Sequence, residues 1–155
     1  MDDRTLDSLA EIGRHLDKSD VQTLLILRAH LLVEERLRDI LSRICRSPDE
    51  LRTARLSFHQ ALGMCRAVLG RQDDPAWGFI ERLNEVRNRI SHHLEPGDLD
   101  DLLGSVVSRL RPDERPRADT AARRFRLAVL YTCGYLDSLR GSVRLREAYA
   151  SEDTV

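Results

Sequence analysis

Apolar residues recur along this chain at the three-to-four-residue interval of an α-helix, with no convincing stretch at the two-residue interval of a strand. Start and stop signals divide the pattern. Ser19 with Gln22 can form a capping box, Ser47-Pro48-Asp49-Glu50 is a stronger one with proline at the first helical position, and Asp74-Pro75 opens a helix the same way. Gly70, Pro96-Gly97 and the stretch from Pro112 to Pro116 are stops. The expected helices lie near residues 4–16, 20–45, 50–69, 75–93, 98–110 and 119–148. The segment 50–69 is the clearest of them, because Leu51, Ala54, Phe58, Ala61, Leu62, Cys65, Val68 and Leu69 fall on one side of a helical wheel. Leu99, Leu102, Leu103, Val106 and Leu110 do the same in segment 98–110, as do Phe125, Val129, Leu136, Leu139 and Val143 in the last helix. An all-α antiparallel bundle of five to six helices follows, as one domain over residues 1–149, with 111–119 a charged connector and 150–155 a disordered tail.

The helix expected at 20–45 differs from the others, because its apolar arc of Ile26, Leu27, Leu31, Val33, Leu37, Leu41 and Ile44 covers nearly half the wheel. Such a helix belongs at the centre of the bundle. Within the arc, His30, Glu34 and Arg38 stand at i, i+4 and i+8, an aligned polar ridge where a core helix would prefer carbon. Two readings stay open: a set of i, i+4 pairs at the margin of the stripe, or a ridge that lines a polar site or an interface, where buried charge needs a partner.

Composition narrows the class. The chain has 155 residues, enough for one self-sufficient core, and its 5% aromatic content and eight glycines fit poorly with a β-sandwich or barrel. Twenty-five basic and 26 acidic residues leave a net charge of -1, so bulk charge gives no grip on nucleic acid and any such contact must be local. The longest apolar run, Leu24 to Leu27, is far short of a membrane span, and MDDRTLD lacks the features of a secretory signal, so a cytoplasmic location is expected. Cys45, Cys65 and Cys133 each sit at an apolar helical position without CxxC spacing, which reads as buried free thiols and not as a zinc site. Lys18 is the single lysine, so nearly all positive charge is carried on guanidinium forks suited to carboxylate or phosphate.

Candidate chemistry concentrates in FIERLNEVRNRISHHLEP, residues 79–96. Phe79, Leu83, Val86 and Ile90 form a core stripe, while Asn84, Asn88 and His92 form a second ridge on another face. Asparagine is a mediocre helix former, so two of them in mid-helix, the second one turn before a histidine, point to a use other than helix propensity. Arg87 stands at the edge of the stripe, able to turn its fork toward Asn88 and His92. Arginine, asparagine and histidine together can bind a phosphate, orient it and move a proton; a solvated polar face with an incidental histidine is the other reading.

Arg87-Asn88-Arg89-Ile90-Ser91-His92 resembles the R-N-x-x-x-H form of the Rx4–6H motif of the HEPN superfamily, the higher eukaryotes and prokaryotes nucleotide-binding domains. The resemblance covers roughly residues 20–110, and includes the Leu83-Asn84 pair ahead of the motif and an apolar residue, Leu94, after it. It implies a metal-independent endoribonuclease of the toxin or defence type, without cofactor, acting as a homodimer whose two motif helices face each other across one cleft. Any antitoxin or regulator would be a separate chain, and no membrane partner is expected. Carried over, Arg87 would bind the scissile phosphate, Asn88 would position the phosphate or the histidine, and His92 would be general acid or base while the RNA 2′-hydroxyl attacks phosphorus. Asn84, Glu34 and His30 are candidate supporting residues, with Glu34 the natural carboxylate for Arg87 or for an imidazolium at His92. His93 would satisfy the longer Rx5H spacing but projects about 100° from the ridge, so His92 is preferred. The same resemblance covers catalytically silent helical modules that bind a nucleotide or a protein partner. A helical regulator that uses these ridges only to dimerise is a further alternative.

Between residues 109 and 126, seven arginines face three acidic residues, an excess of four positive charges. Arg109, Arg111, Arg123 and Arg124 could track an RNA backbone, or could belong to a solvated connector. His15 suits a helix C-terminus, His59 lies off its helix's stripe, and Trp77 reads as a packing residue rather than a stacking platform.

Overall fold

The computed structural model describes residues 21–71, 73–93 and 96–152 and folds them into six helices, with no strand among them. In chain order these are α1 (Val21–Ile44), α2 (Pro48–Thr53), α3 (Phe58–Leu69), α4 (Pro75–His92), α5 (Leu99–Val107) and α6 (Ala121–Glu152). The protein is therefore an all-α helical bundle. The helix expected at 4–16, the Ser19 cap and His15 lie outside the described residues.

α1 is central, as its wide apolar arc requires: it packs against each of the other five helices. Ile26, Ala29, Val33, Leu37, Ile40 and Leu41 are buried along it. Leu31, placed in the arc by the sequence, is instead 63% exposed. It stands two residues, or about 200°, from Val33, on the outer side of the helix.

The segment expected to be one continuous helix over 50–69 is two. α2 ends at Thr53, Arg55 takes a left-handed φ of 48°, and α3 begins afresh at Phe58. The physical reason is a capping box that the continuous apolar stripe hid. Ser57 Oγ accepts from the Gln60 amide at 3.2 Å while Gln60 Oε1 accepts from the Ser57 amide at 2.9 Å. Two otherwise orphaned donors are satisfied at once, and a serine cap of this kind contributes about 1 kcal/mol, which offsets part of the cost of a left-handed arginine. Ser47, expected to be the stronger cap, makes no side-chain cap bond: its ψ of 78° departs from the extended conformation a capping serine uses, and Pro48 alone marks the start of α2.

α4 is built as its punctuation predicts. Asp74 Oδ1 accepts from the Ala76 amide at 3.0 Å, Pro75 opens the helix, and Gly70 ends the preceding one at a left-handed φ of 66°. Trp77 is buried in the first turn and donates Nε1–H to the Arg71 carbonyl at 2.7 Å, so it is a packing residue. Phe79, Ile80, Leu83 and Val86 continue the buried face, and Phe79 stacks on Phe125 of α6 at 6.3 Å. α6 extends to Glu152, past the boundary expected at 148. Of the three cysteines, Cys65 and Cys133 are buried, and burial pushes the Cys65 thiol up to about 12. Cys45 is exposed, contrary to expectation, because α1 stops at Ile44, one residue short of it.

Candidate functional site at the crossing of α1 and α4

The two polar ridges singled out in the sequence meet. His30 of α1 is only 4% exposed, and its Nε2 lies 3.0 Å from Oδ1 of Asn84 on α4. Its ring stacks on Phe58, the first residue of α3, with centroids 4.1 Å apart and planes 27° from parallel. The break between α2 and α3 therefore matters to the site: it places Phe58 under the imidazole, and it turns the Leu56 carbonyl toward Arg38, which donates to it at 2.6 Å. Sequence reading missed Phe58 in this role, and the Ser57-x-x-Gln60 spacing was the available signal.

Glu34 takes two bonds from Arg38, at 3.1 Å from Nε and 2.7 Å from Nη2, and stands 3.8 Å from His30 Nδ1. Glu34 and Arg38 thus form the i, i+4 pair of the first reading, while His30 reaches across to the motif helix. The expected pairing of Glu34 with Arg87 is absent among the described residues. The reason is the direction of the helices. Cys65 of α3 bonds the Leu37 carbonyl while its neighbour Arg66 faces Glu81, and Asn84 meets His30, so α4 descends as α1 ascends. Arg87 thus lies beyond Asn84 toward the start of α1, and Glu34 lies toward its end.

Arg87 is half-buried and donates Nη1–H to Oδ1 of Asn88 at 3.0 Å, its one side-chain hydrogen bond among the described residues. This holds the fork along the ridge without neutralising it. The Ser91 hydroxyl bonds the Arg87 carbonyl at 3.0 Å, and His92 closes the helix, exposed. His93 is the C-cap residue, also exposed, with an extended backbone that takes it off the helical wheel. The crossing thus joins His30 to Asn84, with Glu34 and Arg38 on one side of it and Arg87, Asn88 and the exposed His92 farther along α4 on the other.

The imidazole of His30 is held below its ordinary 6.5 by burial; the Asn84 bond opposes this, the Arg87 cation adds to it, and the Glu34 carboxylate opposes it. The folded state therefore prefers a neutral His30. The stability this contributes is complete above pH 6.5, falls as the pH drops from 6.5 toward the lowered folded value, and falls no further below it. Urea midpoints of the wild type and His30→Gln, measured from pH 7.5 to pH 5, are expected to converge as the pH falls; a constant separation across the range would contradict this.

The arginine cluster is a separate region. Arg111 is paired with Glu114 at 2.5 Å and Arg123 with Asp119 at 3.1 Å, while Arg124 caps the Ala118 carbonyl at 2.8 Å. Arg109 packs against Gly78 in the first turn of α4, and His92 stands 14 residues, about 21 Å of helix, farther along. The four arginines therefore do not join the motif site within one chain. A groove of about 490 Å³ between α1 and α6 is lined by Glu35, Arg36, Asp39, Asp137 and Arg140. Its charges answer one another, with Arg140 on Asp39 at 2.9 Å and Arg36 on Asp137 at 3.4 Å. Among the described residues no group of three or more His, Cys, Asp or Glu side chains is placed to hold a metal ion, and no helix is long and apolar enough to cross a membrane.

Compared with known proteins, the chain matches no family model, no curated protein and no solved structure.

Proposed function

We propose that this protein is a metal-independent endoribonuclease of the HEPN type, acting at a site completed across a homodimer. The observation that carries the reading is the Arg87–Asn88 couple: a half-buried guanidinium, aligned by a neutral amide rather than by a carboxylate, on the ridge that ends at an exposed histidine. An arginine already paired with an acid would have little left for a phosphate; among the described residues this one has no acid partner. In the proposed reaction the RNA 2′-oxygen attacks the adjacent phosphorus as its proton leaves, the bond to the 5′-oxygen breaks, and that oxygen is protonated. The products are a 2′,3′-cyclic phosphate and a 5′-hydroxyl. Arg87 neutralises the charge that develops on the phosphorane, Asn88 holds Arg87 in register, and His92 moves a proton. A two-fold pairing of α4 helices would bring two imidazoles to one cleft, one to accept and one to donate.

Purified protein is expected to cut mixed RNA in EDTA, to leave a cyclic phosphate, and to spare substrates with 2′-deoxy or 2′-O-methyl sugar at the cut site. Light scattering is expected to show a dimer. If RNA stays intact after the protein has been freed of any bound partner, the catalytic reading falls and the silent binding module replaces it.

A further inference from the structure

Asn84 has no part in the proposed reaction, yet its amide is fixed by a 3.0 Å contact with the buried His30 ring. One neutral nitrogen of the His30 ring carries a hydrogen, and the surroundings decide which. Nδ1 is 3.8 Å from the nearest Glu34 oxygen, too far for a hydrogen bond, whereas Nε2 is 3.0 Å from Asn84 Oδ1. The hydrogen belongs on Nε2, so His30 donates and the Asn84 carbonyl accepts. With Oδ1 turned inward to the buried ring, the two N–H donors of the amide are turned outward, and Asn84 is half-buried, so they are accessible. The ring itself cannot turn freely, because Phe58 is stacked on it and Arg38, anchored on the Leu56 carbonyl, holds Glu34 beside it.

Asn84, Asn88 and His92 share one ridge with successive members about 6 Å apart along the axis. That interval is comparable to the repeat of a sugar–phosphate backbone. The Asn88 carbonyl is taken by Arg87, so its amide donors are not used in that bond and have no partner among the described residues. We propose that Asn84 is a substrate-binding residue, donating to the RNA phosphate next to the scissile one, and that His30 is the positioning residue that fixes which end of the Asn84 amide faces the strand. This rests on the ribonuclease reading for the identity of the ligand, and it adds a second phosphate contact to the site.

The test uses the full-length protein and a fluorescent 2′-O-methyl RNA oligonucleotide that can bind without being cut. Asn84→Asp, which replaces two donors by an anion of the same shape, is expected to weaken binding at least about tenfold, more than Asn84→Ala. His30→Leu, which cannot donate, is expected to weaken binding about threefold to tenfold, while His30→Gln, whose amide can donate to Asn84, restores it. Circular dichroism melts identify variants that are folded at the assay temperature. A purely structural His30 would give parallel losses of stability and binding, without rescue by glutamine. Unchanged binding in Asn84→Asp, or a folded His30→Gln no better than His30→Leu, overturns the proposal, as does a wild type that does not bind the oligonucleotide. A wild type that binds with this pattern but leaves ordinary RNA uncut supports it while removing the ribonuclease reading.

Discussion

Replacing Arg87 by alanine is expected to reduce RNA cleavage by about 10²–10³-fold, the usual consequence of removing one preorganised group from the charge that develops in a transition state. Among the described residues Arg87 has no acidic partner, and its guanidinium is held through Asn88. Its removal costs the fold little: the side chain is half-buried and shares no ion pair among the described residues. His92→Ala is expected to act as strongly, because imidazole is the side chain suited to both halves of a proton relay near neutral pH. Its exposed position at the end of α4 again leaves folding largely untouched. His93→Ala should be milder, since the C-cap backbone carries that ring off the Asn84–Asn88–His92 ridge. Single-turnover rates for the three variants, beside their melting curves, check this. If His93→Ala is the damaging change, the spacing is Rx5H and the acting histidine is the other one. If Arg87→Ala cuts at the wild-type rate, Arg87 does not touch the scissile phosphate.

The second large effect is on stability. Trp77 is 1% exposed, the chain's only tryptophan, and the anchor of the first turn of the motif helix. Trp77→Ala should cost about 3–5 kcal/mol, the loss of a large buried side chain plus the cavity it leaves. Against the ~5–15 kcal/mol that holds a typical domain together, that is a large fraction of the whole. Trp77→Phe keeps most of the apolar body but leaves the Arg71 carbonyl without its 2.7 Å donor, and should cost less, about 1–3 kcal/mol. Urea unfolding followed by circular dichroism measures both, since fluorescence vanishes with the tryptophan. A cost below about 1 kcal/mol for Trp77→Ala would show that the first turn of α4 is not part of the cooperative core.

The helical class and the limits of α4 were legible because their causes are local. The Asp74-Pro75 start, the Gly70 stop and the Phe79, Leu83, Val86 stripe each act within a few residues of themselves, and the structure carries them unchanged. The division at residues 54–57 is also local in cause, yet the apolar stripe of 50–69 ran through it. Periodicity reports which side can face the core and not where the backbone breaks: α3 buries Phe58, Ala61, Leu62 and Cys65, while α2 buries none of its residues and Ala54 and Val68 of the stripe are exposed. Leu31 was misplaced for a related reason: an arc drawn on a wheel does not say how far neighbouring helices wrap around it.

The candidate site divides in the same way. Spacing alone determined that His30, Glu34 and Arg38 share one face of α1, and Asn84, Asn88 and His92 one face of α4, because 3.6 residues per turn is a property of the helix and not of its surroundings. Partner choice was decided only in three dimensions. The opposed directions of α1 and α4 put His30 on Asn84 and send Arg87 away from Glu34, leaving that carboxylate to Arg38 and Arg87 to the Asn88 amide. Helix direction and crossing follow from how the apolar faces of the helices pack together, which no single stretch of residues encodes. The chain's own residues thus set what each face offers, and packing set which offers met.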